Sequence, residues 1–452
     1  MMAAFSGWHN LWRVDTALMA IAAPNTSTTT TAPGTGQSYG APLATVTTLF
    51  FMWGFLTCLN DILVPHLKSI FDLTYAKVML IQFAFFGAYF IFSIPSARII
   101  DWIGYQRSMV VGLLTMGLGA FLFVPAASVP SFPLFLGALI VLAAGITCLQ
   151  VAANPYVTVL GKPETASSRL NLTQAFNSLG TFLAPFFGGL LILSAAPKTL
   201  NEIRAMAPDA LQAYRLHEAA TVKTPYVGLG IALVVLAVAI GSFKLPTIEH
   251  AQHKVGEKVN DSIWSHPNLI LGAIAIFVYV GGEVSIGSFL VNYFGQPEIG
   301  GLTEKVAASY VAFYWGGAMV GRFIGSALLQ KMSTGRLLGI CAVCAGALVA
   351  ISMLTTGHTA MYSIILVGFF NSIMFPSIFT LGVAELGPLT GDGSGVMIMA
   401  IVGGAIIPVA QGAIADRIGI HHAFFLPVIC YLYILFFALS GSKPNSLRYA
   451  KA

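Results

Sequence analysis

From about residue 42 onward, apolar runs follow one another with short polar breaks, each long enough to cross roughly 30 Å of hydrocarbon. The pattern predicts helices at 42–66, 75–99, 107–127, 131–160, 169–194 and 225–244, then at 267–294, 304–330, 336–356, 358–385, 393–415 and 420–440. Two polar stretches interrupt the series. Residues 195–224 read as an amphipathic excursion between the fifth and sixth spans, and 245–266 as a linker dividing the chain into two sets of spans. The expected organisation is a tail at 1–41, a helical bundle at 42–244, the linker at 245–266, a second bundle at 267–440 and a short tail at 441–452. Residues 1–41 end in a Ser/Thr/Gly/Pro tract that cannot bury a core and is expected to be disordered.

Composition agrees with lipid as the main solvent. Of 452 residues, 57% are hydrophobic and only 9% charged, whereas a soluble domain carries roughly a quarter charged residues. Mean hydropathy is +0.82. The fold class expected is therefore an all-α membrane protein of about twelve transmembrane helices. The net charge of +5 is scattered singly through loops, which argues against a nucleic-acid partner. Lys and Arg are denser on the side that holds both ends of the chain, so both termini are placed in the cytoplasm. The five cysteines all fall in apolar stretches; Cys341 and Cys344 form a CxxC with no second ligand pair, and read as helix-packing residues rather than a metal or redox site. No cofactor or metal is expected.

The two sets of spans echo each other. Pro155-Tyr-Val-Thr-Val-Leu-Gly161 at the end of span four matches Pro376-Ser-Ile-Phe-Thr-Leu-Gly382 in span ten. Gly180, Pro185 and Gly189 in span five recur as Gly403, Pro408 and Gly412 in span eleven at the same internal spacing. Paired six-helix repeats around a central cavity are the architecture of alternating-access carriers. A sensor would need an output domain, for which the tail after residue 441 is too short, and an enzyme would need a motif such as HExxH or a phosphate-binding glycine loop, which the chain lacks.

An ionised side chain at a helix centre costs at least about 2.5–3.5 kcal/mol on insertion scales, so it needs a reason to be there. Asp61, Glu283 and Arg322 fall well inside predicted spans. A carboxyl in a dry cavity can take up a proton on one side and give it up on the other, which makes Asp61 a candidate coupling residue. Arg322, in the third of span eight near the cytoplasm, is expected to snorkel to the interface, with pairing to Glu283 as the other reading. Amides sharing helical faces suit the hydroxyls of a neutral sugar: Gln150 with Asn154 on span four, and Gln174 with Asn177 on span five. Asn60, Asn292 and Asn371 add further amides, and Trp53, Tyr314 and Trp315 are candidate platforms for the apolar face of a sugar ring. No cation sits among them, which argues against phosphorylated or carboxylated substrates.

The segments FFMWGFLTCLNDILVPHLK from Phe50, LQVAANPYVTVLGKPETASSRLNLTQAFNSLGT and VYVGGEVSIGSFLVNYFGQP resemble the fucose–proton symporter family, and within it the bacterial glucose/galactose transporters. The resemblance covers about residues 42–440. It implies the major facilitator fold and uptake of a hexose with a proton across a bacterial inner membrane, by a carrier working as a monomer. N-acetylglucosamine and fucose remain alternative substrates, and sodium an alternative to the proton. In the fucose carriers the aspartate of the LND motif, here Asp61, couples protons. Their second carboxylate lies on span four in CLETAANPF, where this chain has Gln150; their glutamine on span seven is here Glu283. The resemblance therefore implies that Glu283 is the second coupling carboxylate and Gln150 a neutral sugar ligand. The loop Ala97-Arg-Ile-Ile-Asp101-Trp-Ile-Gly104-Tyr-Gln-Arg107 is similar to the superfamily's GxxxDRxGR signature, which implies that Asp101, Gly104 and Arg107 form a latch between helix ends.

Overall fold

The computed structural model describes residues 39–71, 75–128, 131–191, 205–221, 223–248 and 261–444, and among these all regular structure is helical. The expected tails 1–41 and 441–452 and the middle of the linker lie outside the described residues, apart from 39–41 and 441–444. The first set comprises α1 (Gly40–Phe71), α2 (Tyr75–Ser128), α3 (Phe132–Val159), α4 (Ala166–Leu191), α5 (Pro208–Thr221) and α6 (Lys223–Ser242). The second begins with α7 (Pro267–Phe294), α8 (Glu304–Leu328), α9 (Thr334–Leu354) and α10 (Gly357–Asn371). It continues with α11 (Met374–Gly382), α12 (Thr390–Met399), α13 (Gly403–Ile418), α14 (Ile420–Ala423) and α15 (Phe425–Phe436).

These elements recover every predicted span, and the departures have local causes. Predicted spans two and three are continuous in α2 except at Gly104, whose φ of 80° and ψ of 168° break the helix where the chain reverses. That backbone region is open to glycine and strained for other residues, which accounts for the glycine of the latch motif. Span ten is broken at 372–373 between α10 and α11, and span eleven passes through a 3-10 turn at 400–402 between α12 and α13. The polar excursion 195–224 contains α5, with Asp209 in its first turn, where the helix dipole favours an acidic side chain. At the end of the linker, His266 Nε2 lies 2.7 Å from Asp261 Oδ2 and Ser262 N–H donates to Asp261 Oδ1 at 2.7 Å. These contacts hold the Asp261 carboxyl below its ordinary range, the His266 bond most of all.

In lipid, helices associate by close packing of small residues rather than by hydrophobic exclusion. The repeated glycines show this directly. A Cβ on Gly180 of α4 would fall on the Phe51 carbonyl oxygen of α1, and a Cβ on Gly403 of α13 would fall on the Phe277 carbonyl oxygen of α7. The same glycine thus brings the fifth span of each set onto the first. Gly54 meets the Asn177 carbonyl in the first set, and Gly281 meets Ile407 in the second.

The two sets touch along one end of the bundle. Ser168 Oγ donates to the Ser326 carbonyl at 2.7 Å and Ser326 Oγ donates to the Ser168 carbonyl at 3.0 Å, a reciprocal pair between α4 and α8. Ser167 shares hydrogen bonds with Thr380 at 2.6 Å and Thr334 at 2.8 Å. Ser394 of α12 donates to the Val151 carbonyl of α3 at 2.8 Å. Further along, α4 and α8 meet at Phe176 and Phe323, whose rings lie 5.7 Å apart, and then leave an apolar groove of about 420 Å³ lined by Phe182, Phe313, Gly317 and Phe369. The two sets are cinched near the turns at 160–165 and 329–333, and beyond Phe176 and Phe323 the groove opens between α4 and α8.

Candidate functional site

The polar side chains buried at mid-depth gather into two networks. In the first set, Gln150 Nε2 donates to the Tyr89 hydroxyl at 2.7 Å, joining α3 to α2. Gln174 Nε2 of α4 lies 3.4 Å from Asn154 Oδ1 of α3, and all three amides are buried. This network borders the seam between the sets. Val151, next to Gln150, accepts from Ser394 of α12, and Phe86, one turn before Tyr89, packs against Gly404. Asn154 Nδ2 has no hydrogen-bond partner in the structure although its side chain is fully enclosed. A buried amide without a partner costs about 1–3 kcal/mol, a cost that a hydroxyl-bearing ligand or a water would relieve.

The second network centres on Asn371, the last residue of α10. Its Nδ2 donates to the Tyr314 hydroxyl of α8 at 2.9 Å, and its Oδ1 accepts from the Tyr431 hydroxyl of α15 at 2.8 Å. Its backbone carbonyl lies 3.0 Å from the Tyr279 hydroxyl of α7, which is also 2.8 Å from Glu283 Oε1. Tyr279 and Glu283 are one turn apart on α7, so the helix itself sets their contact. Gly282 of α7 approaches Cys430 of α15, which brings α15 alongside the carboxylate.

Arg322 departs from the sequence expectation. It does not snorkel: the guanidinium donates to the Ser178 hydroxyl of α4, and its Nε donates to the Ser372 carbonyl in the break of span ten at 3.2 Å. The backbone carbonyl of Arg322 in turn accepts from Asn171 Nδ2 at 2.6 Å. A broken helix supplies carbonyls free to turn toward side-chain donors, and here Asn371 and Ser372 receive Tyr279 and Arg322. The cation lies within electrostatic range of Glu283, although no ion pair between them is present among the described residues.

The other predicted site residues are placed as follows. Trp53 is buried and meets Phe50 edge-on at 5.4 Å. The Asn177 amide donates to the Phe50 carbonyl at 2.9 Å, so it fixes α4 against α1. Asn292 is exposed near the end of α7, and Trp315 is 46% exposed on the side of Tyr314. Asn60 and Asp61 lie on α1, but their side chains are outside the described residues. Asp101 lies beside the first turn of α12, 3.8 Å from where a Gly391 Cβ would stand, while Arg107 is exposed. Among the described residues no His, Cys, Asp and Glu group together as a metal site.

Sequence reasoning missed Tyr89, Tyr279 and Tyr431, and with them the serines at the seam. Tyr279 had a signal in its spacing of four from Glu283. Tyr89 and Tyr431 had none, because their partners lie on helices remote in sequence.

The sequence model described as Major Facilitator Superfamily matches residues 43–402. The chain is 53% identical to the glucose/galactose transporter of Brucella abortus over 94% of its own length and 100% of the relative's. It is 36% identical to the L-fucose-proton symporter of Escherichia coli K12, over 91% of this chain and 95% of the symporter. Its structure matches the crystal structure of FucP, a Major Facilitator Superfamily transporter, in the outward conformation, with a TM-score of 0.82 and 34% identity over 90% of this chain and 100% of that one.

Proposed function

The chain belongs to the Major Facilitator Superfamily, and from that premise we propose that it imports a neutral hexose, glucose or galactose, together with a proton. The observation that carries the substrate class is the make-up of the two buried networks. They offer amides and phenols, Gln150, Asn154, Gln174 and Asn371 with Tyr89, Tyr314 and Tyr431, at the seam between the two sets. Such groups both donate and accept, as sugar hydroxyls require, and the neighbouring cation, Arg322, is already engaged by Ser178 and Ser372. The 53% identity to a glucose/galactose transporter along the whole of that protein supports the choice of hexose.

Symport follows from the arrangement of charge. Glu283 sits within the second network, and Asp61 is the matching carboxylate of the first set by sequence position. A carboxyl buried beside a sugar site can be occupied by a proton only when the cavity faces a source of protons, which ties the two loads together. The relative named an L-fucose-proton symporter, 36% identical, supports the proton as the coupling ion. In this reading the bundle lies in a bacterial inner membrane with both termini in the cytoplasm, and the two six-span sets, 42–244 and 267–440, rock about the seam as a monomer. The cinched end then faces the cytoplasm and the parted end faces outward, in keeping with the likeness to a carrier in its outward conformation.

The test is counterflow in proteoliposomes loaded with unlabelled sugar, followed by accumulation under an imposed pH gradient with and without sodium. Labelled glucose and galactose are expected to exchange, with fucose and N-acetylglucosamine exchanging less. A pH gradient alone is expected to drive accumulation. Failure of all four neutral sugars to exchange sinks the hexose reading. Accumulation that needs sodium and ignores pH replaces the proton with sodium.

A further inference from the structure

We infer that Tyr279 sets the protonation state of Glu283: while its hydroxyl proton is donated to the Asn371 carbonyl, Glu283 is held as the neutral acid, and movement of span ten frees that hydroxyl and lets the acid ionise. The inference rests on the reading of Glu283 as a coupling carboxylate.

Tyr279 faces more acceptors than it has protons to give. The Tyr279 hydroxyl lies 2.8 Å from Glu283 Oε1 and 3.0 Å from the Asn371 carbonyl oxygen. A phenol has one proton to donate, a backbone carbonyl can only accept, and an ionised carboxylate can only accept. Two acceptor-only partners cannot both be satisfied by one donor. The contacts are reconciled when Glu283 carries a proton and donates it to the Tyr279 oxygen, while Tyr279 donates to Asn371. The carbonyl has no compensating proton of its own, so the carboxyl is the partner that must change.

The same carbonyl is the movable part. Asn371 ends α10 at the break in span ten, and the next carbonyl, that of Ser372, is held by Arg322, which reaches across the seam to Ser178 of the other set. Parting of the sets at the cinched end would pull on Ser372 through Arg322 and shift the adjoining Asn371 carbonyl. The freed Tyr279 proton then turns to Glu283, whose own proton leaves to water in the newly opened cavity. One O–H bond of the carboxylic acid breaks, a hydronium forms, and the carboxylate accepts from Tyr279 instead.

Other groups around the carboxyl do not supply this switch. From α8, Arg322 and Tyr314 are within electrostatic range; from α15, Tyr431 and the Cys430 thiol face the same turn. Tyr314 and Tyr431 are both engaged by the Asn371 side chain, and Arg322 by Ser178 and Ser372. From α13, Ile407 packs on Gly281 in the turn before the carboxyl, and it does not titrate.

The experiment follows the titration of Glu283 in purified full-length carrier by the infrared C=O stretch of the protonated carboxyl, assigned as the band lost in Glu283→Gln. The carrier is held with its cinched end closed by a cysteine cross-link between positions 168 and 326. Tyr279→Phe removes the oxygen that accepts from the acid, so Glu283 is expected to lose its proton at a pH about one unit lower, a roughly tenfold change. A shift to higher pH would mean that Tyr279 donates to the carboxylate, and overturns the inference. An unmoved titration would mean that Tyr279 only packs, and overturns it as well. Should Tyr279→Phe not reach the membrane, Glu283→Asp, which withdraws the carboxyl from Tyr279 by one methylene, is expected to move the band the same way. No sugar is present in this measurement, so failure of hexose counterflow leaves its outcome intact. Conversely, Glu283→Gln that still accumulates sugar under a pH gradient overturns Glu283 as a coupling group and the switch with it.

Discussion

At the scale of single residues, the reassignment of Arg322 matters most. As a rule a long cationic side chain a few turns from a helix end can reach the interface, and the position of Arg322 in span eight implies it. The rule failed because Ser178 and the unwound Ser372 carbonyl offer acceptors at the seam itself, and neither is visible from the neighbours of Arg322 in sequence. Among the amides, helical spacing pairs Gln150 with Asn154 and Gln174 with Asn177; the structure buries the first three and uses Asn177 to fix α4 against α1. Tyr89 and Tyr431, the partners of Gln150 and Asn371, were hidden, since a contact between remote helices depends on register that no local pattern encodes. The position of Arg322 has an energetic consequence. Hydrogen bonds from a charged group are each worth about 1.5–3 kcal/mol, and the one from Arg322 to Ser178 crosses the seam, so it exists only while the cinched end is closed. Arg322→Ala is therefore expected to move the balance toward the parted form by about 10- to 100-fold. The check is the rate at which a cysteine placed at Ser326 reacts with an impermeant thiol reagent in inside-out vesicles. An unchanged rate would mean that Arg322 does not hold the seam.

At the scale of elements, lipid makes the helices legible. A backbone in hydrocarbon must satisfy its hydrogen bonds within each helix, so every crossing announces itself as an apolar run. What the runs cannot reveal is where a helix breaks: spans ten and eleven read as continuous, yet span ten parts at 372–373 because tertiary partners compensate the lost backbone bonds. The repeat was legible as well, and the structure supplies its physical reason. Gly180 and Gly403 recur because each allows the fifth span of its set to lie with its backbone against the first. Overpacking a tight contact costs typically about 1–3 kcal/mol, and here the obstacle is a carbonyl that cannot rotate away. Gly403→Ala is thus expected to lower thermal stability in detergent sharply and reduce the folded yield. Gly316 of α8 is the control, because a Cβ there meets nothing within 4 Å. Gly316→Ala should be neutral or stabilising by up to about 1 kcal/mol, from helix propensity. Equal melting behaviour of the two variants would refute the packing account of the repeat.

At the scale of the whole molecule, the two sets meet through short-range polar contacts at one end beside apolar ones such as Phe176 on Phe323, and the polar share suits a machine that must open. An apolar seam of the same size would be held by dispersion alone, whereas serine and threonine hydroxyls can exchange their partners for water when the end parts. The seam was the least legible level of all. Ser168 and Ser326 are unremarkable in sequence and become informative only when the α4 and α8 backbones are brought together. Their hydroxyl oxygens lie 3.3 Å apart, with each donating to the other's carbonyl. Cysteines at the two positions would place their sulfurs close enough for a disulfide after a small adjustment. If parting of this end is an obligatory step of the cycle, oxidation of the Ser168→Cys/Ser326→Cys protein must stop sugar counterflow, and a reductant must restore it. Binding of sugar from the opposite face should persist in the oxidised form, because the networks around Gln150 and Asn371 are assembled while the end is closed. Calorimetric titration of the cross-linked carrier with the hexose measures this directly. Transport that continues at the original rate with the cross-link fully formed would show that the cinched end is not a gate, and that the sugar leaves by another route.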